Sequence, residues 1–488
     1  MRKTLFFLSF LVVQLAAADG HKNETGVESG PDYSHPEVRG ALSAIDAWIE
    51  GTRLYDRVPG ISVGIVHDQE LVWHKGYGVS NRDTGRPADA DTLYSICSIS
   101  KLFTAIGVMQ LRDANKLALR DPVQQHLEWF DIKQAHSGSP AITVESLLTH
   151  SSGLPRESDF LYWNAPDFPF PTRQQMIEQL EQQETLYPAQ SLFQYSNLAL
   201  SLAGEVIQSA SGRVYNDYVQ DEILEPLGLD DTRPYYPEQL KGEQLAVGYT
   251  GIHRSGDRDP VNSFFTRGIS AAAGFTSSVN DLASFASWQF RLLGNGGKEV
   301  LDANTLREMH RVHWIDPDWE TTWGLGFAVR RVEDTTVVSH GGGCPGYITS
   351  FTMVPEHKTA AIVLTNAGDG PAGRLAQGIL KTFLPALAKA SEPVDDTIPD
   401  LSAYEGNYEG RPWGGESAVR QWGDQLVSIN LPSDELDDNI TQFESEGNHV
   451  FRRLTDKGEP RETITFSMDD SGRATSAKVH SFMMYRID

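Results

Sequence analysis

Two groups of strand-like runs frame the first 390 residues of this chain, and their separation constrains the fold more than any other feature. The stretch "ISVGIVHDQELVWHKGYG" (61 to 78) reads as two β-rich runs divided by Asp68-Gln69, a hairpin signal. The next such runs stand after about residue 323: "WGLGFAV", "TTVVSH", "YITSFTMV" and "TAAIVLTN". Between the two groups the period is helical. A helix is expected to begin near Ser98, because Leu102, Ile106 and Met109 recur at spacings of four and three. "NLALSLAGEVIQSASG" (197 to 212) keeps a helical period and ends in Gly212, a C-cap signal. In "SSVNDLASFASWQF" Ser278 precedes Asp281 by three residues, which marks a helix start. Strands at both ends around helices predict an α+β fold, with one sheet closed by both chain ends and a helical domain inserted between them. "PAGRLAQGILKTFLPALAKA" is expected to supply a last helix packed on that sheet, and "YWNAPDFPFP" suits surface loops around a cleft.

The ends of the chain read differently. Arg2 and Lys3 precede an apolar run from Leu5 to Leu15 and then Ala16-Ala17-Ala18, the pattern of a cleaved secretory signal over 1–18. That run is shorter than the roughly 20 residues that span a bilayer. A polar leader over 19–36 follows, and the mature protein is expected to be secreted or periplasmic, with no membrane span. The main folded part would occupy 37–390. "SEPVDDTIPD" (391–400) reads as a linker. Beyond it, over 401–488, short alternating segments such as "QLVSINLP", "HVFRRL", "ETITFSM" and "ATSAKVHSF" are divided by turn clusters and predict a small all-β module. A formal charge of -25, from 41 basic and 66 acidic residues, disfavours a phosphate backbone as partner, so no nucleic acid is expected. Cys97 and Cys344 are the only cysteines, which excludes a disulfide framework; whether they pair or stay free thiols is open in the sequence.

Three short motifs can carry chemistry. In "SICSISKLFTA" (95 to 105), residues three apart on a helix share a face, and of the three serines only Ser98 has a base there, Lys101. A serine hydroxyl is a weak nucleophile until a base takes its proton, and lysine can do so when burial lowers its pKa. A helix N-terminus at Ser98 would further favour negative charge. The same pair also fits a capping serine beside a snorkelling lysine. "FQYSNLALS" places Tyr195 and Asn197 two apart just before a helix, so that a phenol and an amide can enter one cleft. "VVSHGGGCPGY" delivers His340 and then Gly341, Gly342 and Gly343, glycines that mark close approach to the backbone and a possible oxyanion donor.

Together and in this order the three motifs resemble those of the serine β-lactamase and penicillin-binding-protein superfamily, and most closely its class C β-lactamase-like branch of DD-peptidases, D-aminopeptidases and esterases. "LLTHSSGLP" (147 to 155), "AAGFTSSVNDLASF" and "WGLGF" are similar to that branch as well, and the resemblance runs from about residue 37 to 388. It implies a β-lactamase-like fold, an antiparallel sheet flanked by helices, and the β-rich tail resembles the barrel-like domain often appended to such hydrolases. It implies Ser98, Lys101 and Tyr195 as catalytic residues. Asn197, His340, Gly342 and Gly343 would bind substrate or hold the oxyanion, the latter through the N–H groups of Ser98 and Gly343. No metal or other cofactor is implied.

One departure bears on the substrate. Where β-lactamases carry a hydroxyl in the third motif, this chain has Gly341, and His340 replaces a lysine, leaving a partial positive charge near neutral pH. Both changes disfavour penicillin-type carboxylates and point to a small-molecule or peptide ester or amide, cleaved by an esterase or D-residue peptidase. A non-catalytic sensor that binds β-lactams or peptidoglycan is the alternative on the same fold. A metal hydrolase is disfavoured, because His310 and His313 stand three apart without the glutamate of a zinc helix.

Overall fold

The computed structural model describes residues 32–488 apart from 333, 395, 396 and 456. The expected signal segment and all but the last few residues of the expected leader lie outside the described residues, as do two residues of the expected linker. Among the described residues no helix is long and apolar enough to cross a membrane.

In chain order, helix α1 (Pro36–Tyr55) leads into the strands β1 (Gly60–His67), β2 (Glu70–Asn81) and β3 (Arg86–Pro87). The helical part contains α2 (Ser100–Asp113), α3 (Asn197–Ser211), α4 (Ser270–Ala273) and α5 (Val279–Asn295). Strands β4 (Trp314–Ile315), β5 (Thr322–Trp323), β6 (Ala328–Val332), β7 (Thr335–Cys344), β8 (Tyr347–Val354) and β9 (Thr359–Thr365) follow, then α6 (Ala372–Lys389). The nine strands form one sheet in the order β3-β2-β1-β9-β8-β7-β6-β5-β4. All its neighbours are antiparallel, and β1 and β9 are where the two ends of the sequence meet.

Burial on both faces explains why β1 and β9 read as nearly continuous apolar runs. Ile61, Val63, Ile65, Ala361 and Val363 point into a core with Trp48 of α1 and Phe383 of α6. Ala360, Ile362 and Leu364 alternate with them and enter the main core, against Leu282 and Phe285 of α5. The helix-start signal at Ser278 is realised, its side chain accepting from the Asp281 N–H at 3.2 Å. Helix α3 ends at Gly212, in the left-handed region at φ 74°. One expected strand needs correction: in "WGLGFAV" a turn separates Trp323 from β6, with the Gly324 N–H donating to the Phe327 carbonyl at 2.9 Å. Gly326, at φ 81°, lies where a Cβ would come within 2.4 Å of Ala105 on α2, so the segment bends over that helix instead of pairing.

The tail closes into an eight-stranded barrel, from Gly406–Glu409 to Phe482–Arg486. Alternation sorts its side chains: Val419, Leu426, Phe451 and Phe466 fill the interior, whereas Ala418, Ile429 and Leu431 face outward into the core beneath α1 and α6. The Trp48 indole N–H donates to the Ser433 carbonyl at 2.9 Å across this junction. Helix α1 escapes a propensity reading because Gly40 and Gly51 interrupt it, and both are explained by the barrel. A Cβ at Gly40 would sit 2.6 Å from the Trp422 backbone, and one at Gly51 2.7 Å from Leu431. Gly40→Ala is therefore expected to lower stability by about 1–3 kcal/mol through overpacking, against a gain of about 1 kcal/mol in helix propensity. Urea unfolding measures it, and a more stable variant would show that the barrel strand yields.

Candidate active site

Ser98 sits in a single 3-10 turn, Cys97–Ile99, that runs straight into α2. From Thr92 to Met109 every residue is buried except Ser98, so of the three serines in this stretch only its hydroxyl reaches a cavity. Ser95 is buried, and the Ser100 hydroxyl donates to the Cys97 carbonyl at 2.5 Å while accepting from the Phe275 N–H at 3.0 Å. Both are structural. Cys97 and Cys344 form a disulfide, with Cα atoms 5.8 Å apart, which settles the alternative open in the sequence.

Lys101 is fully buried one turn beyond Ser98. Its Nζ lies 2.9 Å from Ser98 Oγ, 2.8 Å from Asn197 Oδ1 and 2.8 Å from the Ala272 carbonyl of α4. Burial holds its pKa well below the ordinary lysine value, with Arg156 pushing the same way and Glu157 opposing. A neutral amine has two N–H bonds and one lone pair. In the neutral form, with the two carbonyl oxygens taking the N–H groups, the lone pair would be left for the Ser98 hydroxyl.

Tyr195 and Asn197 converge as their spacing predicts. Ser196, not Asn197, caps α3, its side chain accepting from the Ala199 N–H at 2.9 Å, so the amide of Asn197 is free to turn inward. The Tyr195 ring lies 5.0 Å from Lys101 Nζ and 4.9 Å from the Arg156 guanidinium. Burial pushes its phenol up to about 12, opposed by a hydrogen bond with Ser98 and by Arg156.

The glycine run divides its tasks. The pairing of β7 with β6 ends at Ser339, while its pairing with β8 continues through Cys344, so among the described residues one edge of Gly341–Cys344 has no strand beside it. At Gly342 a Cβ would lie 2.2 Å from the Ile96 carbonyl, so this glycine lets β7 cross the turn that carries Ser98. At Gly341 the nearest atom to a Cβ would be 3.6 Å away. A Cβ would fit there, so crowding at this position does not demand the glycine. Gly341 and Gly343 line a cleft of about 640 Å³ together with Ser98, Tyr195, Trp323 and His340.

The expected partial charge on His340 is corrected. The ring is buried between Tyr195 and Trp323, its Nδ1–H donates to the Gly341 carbonyl at 2.6 Å, and desolvation and Lys101 push its pKa down to about 3. It is neutral across the physiological range. Positive charge enters the cleft instead from Arg156 and Arg330. His310 and His313 go to separate partners, Gln289 and Glu145.

Sequence reasoning missed three neighbours. His150, in "LLTHSSGLP", lies against Tyr195 with ring centroids 4.3 Å apart and accepts from the Ser196 N–H at 3.1 Å. Trp323 packs edge-on against both His150 and His340. Glu157, two residues past the same phrase, accepts from Asn197 Nδ2 at 2.7 Å. The phrase was a signal, but contacts across 40 residues or more are not carried by local pattern.

Three buried histidines give a pH dependence. His150 is held well below its ordinary value by burial, Lys101, His340 and Arg156; His310 falls to about 3 through burial, as does His340 through burial and Lys101. The unfolded chain binds a proton at each near pH 6.5, the folded chain does not, so stability is fully present above pH 6.5 and is lost as pH falls toward 3. At pH 5 the loss is expected to reach about 2 kcal/mol for each of His310 and His340. Urea midpoints at pH 7 and pH 5 that coincide would contradict it.

Residues 45–382 match the family described as Beta-lactamase. The chain is 26% identical over 338 residues to Beta-lactamase-like protein 2 of Dictyostelium discoideum, covering 66% of this chain and 59% of that protein. It is 26% identical over 313 residues to Penicillin-binding protein 4* of Bacillus subtilis (strain 168), covering 61% of this chain and 66% of that protein. The chain thus spans less than two thirds of the length of either relative. Among solved structures, the octameric penicillin-binding protein homologue from Pyrococcus abyssi superposes with a TM-score of 0.63 at 25% identity, over 91% of this chain and 100% of that one. The family match takes in well over half of the chain and every motif around the cleft: the chain belongs to the Beta-lactamase family.

Proposed function

We propose that the protein is an exported serine hydrolase that forms an acyl-enzyme at Ser98 and cleaves an ester or amide, of esterase or D-residue peptidase type, with weak or absent β-lactamase activity. One observation carries the reading: a fully buried lysine of lowered pKa, 2.9 Å from the one cavity-facing serine of its turn. The opposite directions of the two pKa shifts support one order of proton transfer. With the Tyr195 phenol raised and Lys101 lowered, the amine is the base and the phenol rests protonated. The Ser98 proton passes to Nζ as Oγ attacks the substrate carbonyl, and the backbone N–H groups of Ser98 and Gly343 take the oxyanion. Tyr195 gives its proton to the departing alkoxide or amine and is restored from the Lys101 ammonium. A water molecule then attacks the acyl carbonyl, its proton passing through the Tyr195 hydroxyl to Lys101 Nζ, and the ammonium returns that proton to Ser98 Oγ as the acid product leaves.

Neither a hydroxyl at Gly341 nor a charge at His340 is available for a carboxylate next to the scissile bond, which supports esters and D-residue amides over penicillins. The disulfide suits an oxidising compartment, in line with the N-terminal signal pattern. The test compares turnover of short-chain p-nitrophenyl esters, D-amino-acid p-nitroanilides and a chromogenic cephalosporin, with fluorophosphonate labelling of wild type and Ser98→Ala. Labelling is expected to vanish in the variant. Undiminished labelling would reject Ser98, and cephalosporin turnover above the other two would reject the substrate class.

A further inference from the structure

We propose that Glu157 is a positioning residue that aims the Lys101 lone pair at Ser98 by fixing which way the Asn197 side-chain amide faces. The inference rests on the reading of Ser98 as nucleophile and Lys101 as its base.

An asparagine amide is nearly symmetric in shape, and only its hydrogen-bond partners decide which end is oxygen. Asn197 is buried between two groups that demand opposite ends. On one side its Nδ2 donates to Glu157 Oε1 at 2.7 Å, and on the other its Oδ1 faces Lys101 Nζ at 2.8 Å. A carboxylate accepts and cannot donate, so Glu157 permits only the orientation that turns the oxygen toward the lysine. That oxygen and the Ala272 carbonyl then occupy both N–H bonds of the neutral amine, and the lone pair is directed at Ser98 Oγ. With the amide reversed, Nδ2 would donate into the lone pair and the amine could no longer take the Ser98 proton.

Glu157 is itself held for this task. The Tyr162 hydroxyl donates to its other oxygen, the Gln183 side chain donates to its backbone carbonyl at 3.0 Å, and its side chain is 22% exposed. Neighbouring Arg156, 60% exposed, pairs with the same oxygen at 3.5 Å, a longer contact than the 2.7 Å hydrogen bond from Asn197. The carboxylate also acts on Lys101 through space. The polar or charged groups around that amine are Ser98, Tyr195, Asn197, Glu157, Arg156, His150 and His340. Glu157 is the anion among them and favours the ammonium, so removing its charge moves the acid limb of reactivity to lower pH.

The experiment measures the second-order rate of fluorophosphonate labelling from pH 5 to 9 for wild type, Glu157→Leu, Glu157→Gln, Tyr162→Phe and Ser98→Ala. Glu157→Leu frees the amide to reverse and is expected to label about 100-fold more slowly. Glu157→Gln keeps an acceptor for Nδ2, so its plateau is expected within about tenfold of wild type, with the acid limb at lower pH. Tyr162→Phe removes the support but leaves the carboxylate on Asn197, and is expected to label within about threefold of wild type. Ser98-dependent labelling that ignores Glu157→Leu, or an acid limb that stays in place or rises in Glu157→Gln, overturns the inference alone. Equal labelling of Ser98→Ala and wild type removes the nucleophile reading and the inference with it. Should Glu157→Leu fail to fold, the pH profile of Glu157→Gln decides.

Discussion

Lys101→Met is expected to lower fluorophosphonate labelling and ester turnover by about 10³- to 10⁴-fold while the protein stays folded. Methionine fills a similar volume in a fully buried position but has no lone pair to take the Ser98 proton. The stability change is a difference of opposing terms. Removing a desolvated ionisable group is favourable, whereas Asn197 Oδ1 and the Ala272 carbonyl each lose a donor, at about 1–3 kcal/mol apiece. The net is expected within about 2 kcal/mol of wild type, too little to explain the lost activity through unfolding. Lys101→Arg separates charge from basicity, because a guanidinium keeps its proton throughout and is expected to be as inactive as methionine. A methionine variant within tenfold of wild type would mean that Ser98 draws its base from elsewhere.

What could be read from the sequence follows the range of each interaction. Ser98 with Lys101 and Tyr195 with Asn197 are local pairs whose spacing alone puts them on one face, and the structure brings all four together. The meeting of β1 with β9 was legible because strand-like runs survive at both ends, and the tail's alternation announced its strands even where only four of eight were named. Glu157 and His150 were not legible, because they act on α3 across 40 and 46 residues. The charge of His340 was misread for a related reason. Its pKa is set by burial between Tyr195 and Trp323, and no neighbour in sequence supplies that. Helix α1 was not among the expected elements, and its glycines answer to barrel residues more than 370 positions away.

Cys97 with Cys344 was the question the sequence posed without answering, and its loss carries the second large expected effect. The bridge joins residues separated by 247 positions, so opening it releases a long loop in the unfolded chain. The chain-entropy argument puts the cost on the order of 5 kcal/mol, comparable to the whole stability of many domains. The paired Cys97→Ser, Cys344→Ser variant, or wild type under a thiol reductant, is therefore expected to melt many degrees lower. The effect on chemistry should be smaller. Cys97 holds φ at 51°, a conformation rarely adopted outside glycine, directly before Ser98, and Cys344 follows Gly343. Yet the close passage of Gly342 over Ile96 and the Thr349 hydroxyl donating to the Ile96 carbonyl at 3.2 Å keep turn and strand together without the bridge. Below the melting temperature, labelling at Ser98 is expected to fall about tenfold, far less than on loss of Lys101. A thiol titration of the unfolded, unreduced protein comes first, with no free thiol expected. Two thiols would deny the bridge, and equal melting with and without reductant would show that the sheet and turn hold the two walls of the cleft unaided.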